Sequence, residues 1–531
     1  ASSFVSKDPQ LFGVYITNFS CGPDSFLVSY FREIMGSKPS LTLELDSHTA
    51  DAGINTRIEA FLDIISRYRA LSKPQEQKKT FLPASVVFRK ERSLFVSSDG
   101  RIFPLNHPDI HLLLPSMGEL SSEILSAVFN SSGINTSSLP LYSANTLKLG
   151  RSVASCKECL PLLLTAGGLL EYLQNRQNPD EKLVYFMPTS PGNCRFTQYS
   201  VFLNKLIEHR HIENVALLSL TNENSYAGLS TFCLLNALKA VIVSDVMEDI
   251  KNALYVLAVN RDEAMELFFY QWQKVLHVFG KQKGSGLYRV LQEISKELSK
   301  IKLQIPFSQA KKVALLGEIF VRRDQFSCQD IVTRLSRNNI VVKKAHILEW
   351  LNYCDWLVQN GIYQAGFPFP EWIKFKMKGF FGRHYEKRIK GILAQSGLYD
   401  FELVDIEKII EYGRQFFEVQ LTGEAILVVG DFFKDIIHSA HGIISIGPFA
   451  CMPTRITESI LSGEANLETK IRLDKLTGNC CQHYPETFSL PFLSLESDGN
   501  PFPQIIEARI EAFSLQVQRL WEKCLQKSEK A

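Results

Sequence analysis

Short apolar runs, many of them rich in β-branched residues, alternate along the chain with longer stretches of helical periodicity. The runs predict strands, because they are too short for helices and are bounded by turn-forming residues. The predicted strands are 13–17, 41–45, 183–187, 215–220, 313–316, 339–342, 443–446 and 492–495. The stretches of helical periodicity are 161–174, 246–278, 288–302 and 503–525. This alternation predicts an α/β fold built from Rossmann-like open sheets.

The helix-rich region 246–302 separates two halves of the chain that both contain predicted strands. The 531 residues are enough for about two to four domains. We therefore expect two α/β domains, residues 1–310 and 311–531, with 246–302 as a helical connecting segment within the first.

An internal repeat links the two ends of the chain. Residues 41–61 and 493–513 share ten identities in 21 positions at a shift of 452, where ordinary composition would give about one or two. The identical residues in the first copy are Leu41, Leu43, Glu44, Asp46, Ile54, Arg57, Ile58, Glu59, Ala60 and Phe61. The pattern predicts a duplicated strand–helix unit. The recurring carboxylates at the strand ends indicate structural ion pairs or helix caps, with acid–base chemistry as the alternative.

The repeat continues upstream with a shift of 430. A cysteine follows the last apolar residue of a strand by five positions in both copies, as Cys21-Gly-Pro and Cys451-Met-Pro. The second copy has over a hundred residues before its cysteine, starting with strand 313–316, whereas the first has only twenty. The matching half of the first copy is therefore expected either in 183–220 or upstream of the sequence.

Five of the eleven cysteines share a local context. They are Cys21, Cys156, Cys159, Cys194 and Cys451. All lie in loops with Gly or Pro nearby, mostly at the carboxyl ends of predicted strands, where open α/β sheets bind ligands. Of the other six, Cys233, Cys354 and Cys524 lie in helical patterns and are expected to be structural; roles for Cys328 and for Cys480–Cys481 with His483 stay open.

Thiol chemistry at these five positions has four interpretations. An iron–sulfur cluster needs Cys ligands and small residues that let backbone N–H groups approach its sulfurs. Zinc also accepts Cys, but a zinc ribbon needs two local pairs and only one C-x-x-C occurs here. A redox dithiol and inert thiols are the remaining alternatives. Ligands scattered over 430 residues favour a cluster held between domains.

The charge and composition of the chain argue against a nucleic-acid-binding protein and against a membrane-spanning one. The formal net charge is +2, so the chain is not expected to bind nucleic acid through bulk charge. No apolar run reaches the roughly 18 residues of a membrane span and no secretory signal is visible, so we expect a cytoplasmic protein without a membrane partner. The sequence starts at Ala1, which is typical of a processed chain or a fragment.

Two further features bear on function. No G-x-x-x-x-G-K-[ST] phosphate loop is present, so the chain itself is not expected to hydrolyse ATP. Residues 374–390 hold seven Lys or Arg interleaved with aromatic residues. This stretch predicts a solvated helix with one buried side, and a nucleic-acid face, a coenzyme A site or a docking surface is the alternative.

The cysteine loops and several other motifs resemble a known family. The motifs are FSCGPDSF, HTADAGINTRIEAF, SCKECLP, SPGNCRFTQY, GEIFVRRDQFS, ISIGPFACMPTR and FLSLESDGNPFPQIIEARIEAF. They resemble the C-terminal half of the large activase-related proteins of the 2-hydroxyacyl-CoA dehydratase group, relatives of the 2-hydroxyglutaryl-CoA dehydratase and benzoyl-CoA reductase systems. The resemblance covers roughly residues 10–515.

The resemblance implies an electron acceptor. In that family an ATPase activase of actin-like fold drives a low-potential electron into a partner with two Rossmann-like domains and a cluster between them. This chain would be that partner, with the activase separate or fused upstream, ATP bound only there, and an acyl-CoA as possible substrate. Its five matching cysteines exceed a four-Cys [4Fe–4S] site and fall short of the six of a double-cubane cluster. A cluster-free scaffold or regulator of the same fold is the alternative.

Overall fold

The computed structural model describes most of the chain. The described residues are 1–18, 22–46, 49–71, 81–89, 92–155, 157–189, 194–219, 229–281, 286–362, 369–479, 484–487 and 489–528. Parallel sheets flanked by helices make up the bulk of the fold, which confirms the predicted α/β class.

The first residues form a two-stranded parallel sheet with helices around it. Its elements are α1 (Ser2–Lys7), β1 (Gly13–Thr17), α2 (Asp24–Met35), β2 (Ser40–Glu44) and α3 (Asp51–Leu71). Helix α2 carries the buried Phe26, whose ring packs near Tyr199 and Phe202 of the next unit.

An antiparallel sheet follows, with strands β3 (Ser85–Arg89), β4 (Arg92–Val96) and β5 (Ile102–Pro104). Sequence periodicity did not predict these three short strands.

A four-stranded parallel sheet comes next, in the order β7-β6-β8-β9. Its elements are β6 (Ile110–Leu114), α4 (Glu119–Ser131), β7 (Thr136–Ser138), α5 (Ala144–Arg151), α6 (Leu160–Asn175), β8 (Lys182–Phe186), α7 (Tyr199–His209) and β9 (Val215–Leu218). Strands β8 and β9 match predicted strands, whereas β6 and β7 were not predicted. Because β8 and β9 belong to this sheet, 183–220 does not complete the sheet of β1 and β2.

Three helices then connect to the second half of the chain: α8 (Thr231–Leu257), α9 (Arg261–Gly280) and α10 (Leu287–Leu298). The predicted helical stretch 246–278 is divided between two helices, since the chain leaves α8 at Ala258 and α9 starts where the Asn260 side chain accepts a hydrogen bond from Glu263 N. Polar side chains of α8 are buried because they bind the next sheet: Asn252 donates to Val342 O at 3.2 Å, and Asp249 accepts from Lys344 N at 3.2 Å.

The second four-stranded parallel sheet has the order β11-β10-β12-β13. Its elements are β10 (Lys311–Gly317), α11 (Ile319–Arg323), α12 (Ile331–Ser336), β11 (Ile340–Lys344), α13 (Ile347–Gln359), α14 (Phe369–Leu393), α15 (Ile406–Gly413), α16 (Ala425–Asp435), β12 (Gly442–Pro448), α17 (Met452–Glu464), α18 (Leu467–Leu476), β13 (Phe492–Ser497) and α19 (Gln504–Ser528). The sheet begins at Lys311. The domain boundary near residue 310 stays a prediction, because α8 also binds β11.

Both four-stranded sheets have the same strand order. In each, the second strand in sequence lies outside the first, and the third and fourth follow on the other side. The β1–β2 pair has the register of β12–β13: Val14 faces Leu41 as Ile444 faces Leu493. Repeat-related residues thus occupy equivalent positions, although the duplication itself stays a prediction.

Candidate metal centre

Each described cysteine of the predicted constellation is the N-cap residue of a helix. Cys159 precedes α6, Cys194 precedes the 3-10 turn Arg195–Gln198 that leads into α7, and Cys451 precedes α17. All three have the extended backbone conformation usual for this position. The first N–H groups of a helix lack partners within it, and at Cys194 one of them, Phe196 N, donates to the sulfur.

Hydrogen-bond partners reach two of the three sulfurs. Phe196 N donates to Cys194 Sγ at 3.5 Å. Cys159 Sγ and the Tyr199 hydroxyl are 2.6 Å apart. Donors of this kind stabilise a thiolate over a thiol, and around a cluster they also tune its potential.

The guanidinium of Arg195 connects the three cysteine loops. It donates to the main-chain oxygens of Lys157 at 3.1 Å, Phe449 at 3.4 Å and Ala450 at 2.6 Å. Lys157 belongs to the C-x-x-C loop, the other two acceptors precede Cys451, and Arg195 itself follows Cys194. One side chain therefore holds together loops from both four-stranded sheets.

Two carboxylates shape the same loops. Glu158, buried inside the C-x-x-C motif, accepts from Ser155 N at 3.0 Å and Lys157 N at 3.1 Å. Glu44, at the end of β2, pairs with the Lys157 ammonium group. These contacts fix the loop between the first sheet and the start of α6.

The repeat-related carboxylate of Glu44 is Glu496, at the end of β13. It accepts from Ala450 N at 3.1 Å and pairs with Arg455 at 2.6 Å. The predicted ion-pair role of these strand-end carboxylates is therefore confirmed, and both ion pairs involve residues of the cysteine loops.

The electrostatic environment differs among the three thiols. Cys159 and Cys451 are buried, whereas Cys194 is exposed. Burial is the largest influence on the pKa of Cys159 and Cys451 and raises both, to about 12 for Cys451. Desolvation of the sulfur raises the pKa of Cys194, and the charges of Cys159 and Cys451 raise it further. The positive charge of Arg195 lowers the pKa of Cys159. Raised pKa values favour the neutral thiols in the absence of a cation, and coordination to a metal would stabilise the thiolates instead.

Two half-buried glutamates whose charges act on the thiols were missed in the sequence. Glu318 follows β10 and accepts from Val321 N at 2.8 Å, and Glu424 accepts from Ile319 N at 2.9 Å. Burial, followed by the charge of Glu318, raises the pKa of Glu424 to about 8. Both charges in turn raise the pKa of Cys451. The signal for Glu318 was its place directly after a buried strand; Glu424 had none.

The structure brings together three of the five predicted ligands. Arg195 joins the loops of Cys159, Cys194 and Cys451, whereas Cys21 and Cys156 lie outside the described residues. Within the described part of the chain, no group of three or more His, Cys, Asp or Glu side chains is arranged to hold a metal ion. The donor chemistry of the three thiols, with N–H groups and a guanidinium at their loops, fits an iron–sulfur or other thiolate-bound metal centre.

The remaining cysteines differ in environment. Cys233 and Cys328 are buried in separate apolar cores, which fits structural roles. Cys354 and Cys524 lie on α13 and α19 and are partly buried. Cys480, Cys481 and His483 lie outside the described residues.

The basic stretch 374–390 belongs to helix α14, and side chains are described from residue 379 onward. Lys390 is buried and pairs with Glu386, while Arg388 stacks over the Tyr288 ring at 3.8 Å. The C-terminal end of α14 therefore has one side buried in the protein, as predicted. Phe380 and Phe381 are exposed.

Comparisons with protein-family models and with curated proteins identify no relative of this chain. No family model matches the chain, and no curated protein matches it. Among the described helices, none combines the length and apolarity needed to cross a membrane.

Proposed function

We propose that the chain is an iron–sulfur electron-acceptor or reductase component of a 2-hydroxyacyl-CoA dehydratase-like system. It would work in the cytoplasm and receive its electron from a partner ATPase activase of actin-like fold. The observation that carries the proposal is the convergence of Cys159, Cys194 and Cys451, which come from three loops that Arg195 joins. Motif resemblance supports the choice of system, with an acyl-CoA as the substrate class.

The residues of the chain would hold and insulate the centre. Cys159, Cys194 and Cys451 would be ligands, joined by Cys21 and Cys156, as a [4Fe–4S] or double-cubane cluster. When bound, the cluster supplies one-electron transfer at low potential. The helix N-termini place partial positive charge at the cysteines, and Phe196 N donates to Cys194, which would stabilise the negative charge of the ligands. Burial keeps water from Cys159 and Cys451.

A proton-holding group lies beside these ligands. With its pKa raised to about 8, Glu424 carries a proton at neutral pH. Its carboxyl group can therefore hold a proton close to the thiols while their charge changes.

The test is anaerobic purification followed by iron and sulfide analysis. We expect bound iron and sulfide in the unaltered protein and loss of most iron in Cys159→Ser, Cys194→Ser and Cys451→Ser. Cys233→Ser is the matched control, since Cys233 is buried in a distant apolar core. Metal-free protein, or iron retained equally in all four variants, would contradict the proposal.

A cluster-free scaffold or regulator is the second candidate function. The exposed Phe380 and Phe381 next to the basic residues of α14 favour it, because adjacent aromatic side chains on a surface are typical of binding sites. This candidate would be supported over the first if protein without iron bound an acidic partner and the Phe380→Ser variant lost that binding.

A further inference from the structure

The β1–β2 sheet exposes a surface that is buried in its repeat-related counterpart. Val14 and Ile16 of β1 are 48% and 63% exposed, whereas Ile444 and Ile446, at the equivalent positions of β12, are completely buried. Exposed β-branched residues on neighbouring positions of one strand face leave a large apolar area in water.

Helix α3 shows the same difference. Ile58 is 37% exposed, and its counterpart on α19, Ile510, is 4% exposed. Phe61 and Phe513, which are also equivalent, are both buried. Helix α3 therefore buries Phe61 as α19 buries Phe513, but the surface beside α3 is exposed to solvent.

The second copy shows what covers that surface. Strand β10 runs parallel to β12 on the side away from β13, with Leu315 beside Ile444 and Gly317 beside Ile446. Ile331 and Leu335 of α12 belong to the same apolar core as Ile444 and Ile446. Among the described strands, β1 pairs with β2 alone, so its other edge has no counterpart of β10.

The opposite side of the sheet is already an interface within the chain. Phe26 of α2 is buried near Tyr199 of α7, and Glu33 pairs with Lys205 at 2.9 Å. Among the described residues, the free edge of β1 and the adjoining face of α3 are open to further packing, and both continue from the buried contact of Phe61.

We propose that the free edge of β1 and the adjoining face of α3 bind a strand–helix segment of a partner polypeptide. Its strand is apolar and runs parallel to β1, in the place that β10 has beside β12. Its helix covers Val14, Ile16 and Ile58 as α12 covers their counterparts. Backbone hydrogen bonds to the open strand edge and burial of these side chains stabilise the complex.

The test supplies such a segment to the full chain. The probe is a second copy of residues 307–345, which contain β10, α12 and β11, fused ahead of the chain through a flexible Gly/Ser linker. The matched control fusion carries Leu315→Pro in the added copy, because proline removes a strand N–H and disrupts pairing. Amide hydrogen exchange of residues 13–17 is measured in both fusions and in the unfused chain.

We expect exchange at residues 13–17 to be at least about tenfold slower in the fusion than in the proline control. An Ile16→Asp substitution in the receiving strand should abolish the protection. Equal exchange rates in fusion and control would overturn the proposal. It would also be overturned if the unfused chain dimerised and Ile16→Asp abolished the dimer, because a second copy would then occupy the surface.

Discussion

Arg195 donates a hydrogen bond to the main-chain oxygen of Ala450 at 2.6 Å, although 255 positions separate them in the sequence. The same guanidinium reaches the loop of Cys159 through Lys157 O. One side chain thus sets the relative position of three candidate ligands that the fold brings from two sheets.

Replacing Arg195 should loosen the candidate site without removing a ligand. We expect Arg195→Met to cost about 2 kcal/mol of unfolding free energy, because hydrogen bonds from a charged group are lost. Iron content after anaerobic purification should also fall. Arg195→Lys, which can keep one of the three contacts, should retain more iron than Arg195→Met. Loss of stability with unchanged iron content would limit Arg195 to a structural role.

Gly447 should tolerate no side chain. It lies in β12, and a Cβ atom there would overlap the hydroxyl of Thr454, which lies in the first turn of α17 directly after Cys451. We expect Gly447→Ala to cost about 1–3 kcal/mol through overpacking and to displace the Cys451 loop. Chemical denaturation measures the loss.

Gly463→Ala is the control for this substitution. Gly463 lies on α17, where an added Cβ would meet no atom within 4 Å, so alanine should be neutral or stabilising. Equal stabilities of the two variants would show that the Gly447–Thr454 contact is unimportant.

A buried ion pair joins the connecting helices to the second sheet. Asp245 of α8 lies 3.1 Å from Arg323 of α11, and both side chains are almost completely buried. Asp245→Asn should cost about 3–5 kcal/mol, because it leaves the Arg323 charge uncompensated in the interior.

The paired variant Asp245→Leu/Arg323→Leu should lose much less stability than Asp245→Asn, since no unpaired charge stays buried. Thermal and denaturant unfolding of the single and double variants gives the coupling energy between the two side chains. If the double variant is less stable than Asp245→Asn, the ion pair stabilises the fold by more than the neutralisation of two buried charges.

The pH dependence of stability should include a contribution from His441. Burial, followed by the charge of Lys312, lowers the pKa of His441 to about 4, and its Nδ1 accepts from Lys312 N at 3.1 Å. The unfolded chain binds a proton near pH 6.5, whereas the folded chain does not. This contribution to stability is therefore complete above pH 6.5 and is lost as the pH falls towards 4.

Comparison with His441→Asn isolates that contribution. The asparagine oxygen can accept from Lys312 N but does not titrate in this range. Relative to the variant, the unaltered protein should lose up to about 3 kcal/mol between pH 7 and pH 4. Parallel stability curves for the two proteins would show that His441 titrates normally in the folded state.

The sequence predicted those parts of the fold that local patterns determine. The predicted strand 443–446 is a short, mainly apolar run, and the structure has it, completely buried, within β12. Strand β7 has the sequence TSS, which no apolar pattern distinguishes from a loop. The break between α8 and α9 depends on a single cap at Asn260, a weak signal inside a strongly helical region.

The sequence predicted the cysteines of the candidate site. It did not predict the residues whose roles depend on contacts with residues distant in the sequence. Position after strands and beside Gly or Pro indicated Cys159, Cys194 and Cys451. The role of Arg195 could not be predicted, because its acceptors are main-chain oxygens that any residue carries. Glu424 gains its raised pKa from tertiary burial beside Glu318, which no local spacing reveals.

The distance in sequence between the converging cysteines sets an order of events during synthesis. Cys451 follows Cys159 by almost three hundred residues, so a ribosome adds it about 15 to 60 seconds later. Until then Cys451 is absent and Arg195 has no Ala450 oxygen to bind. The arrangement of the three loops that Arg195 joins can therefore form only after synthesis has passed Cys451.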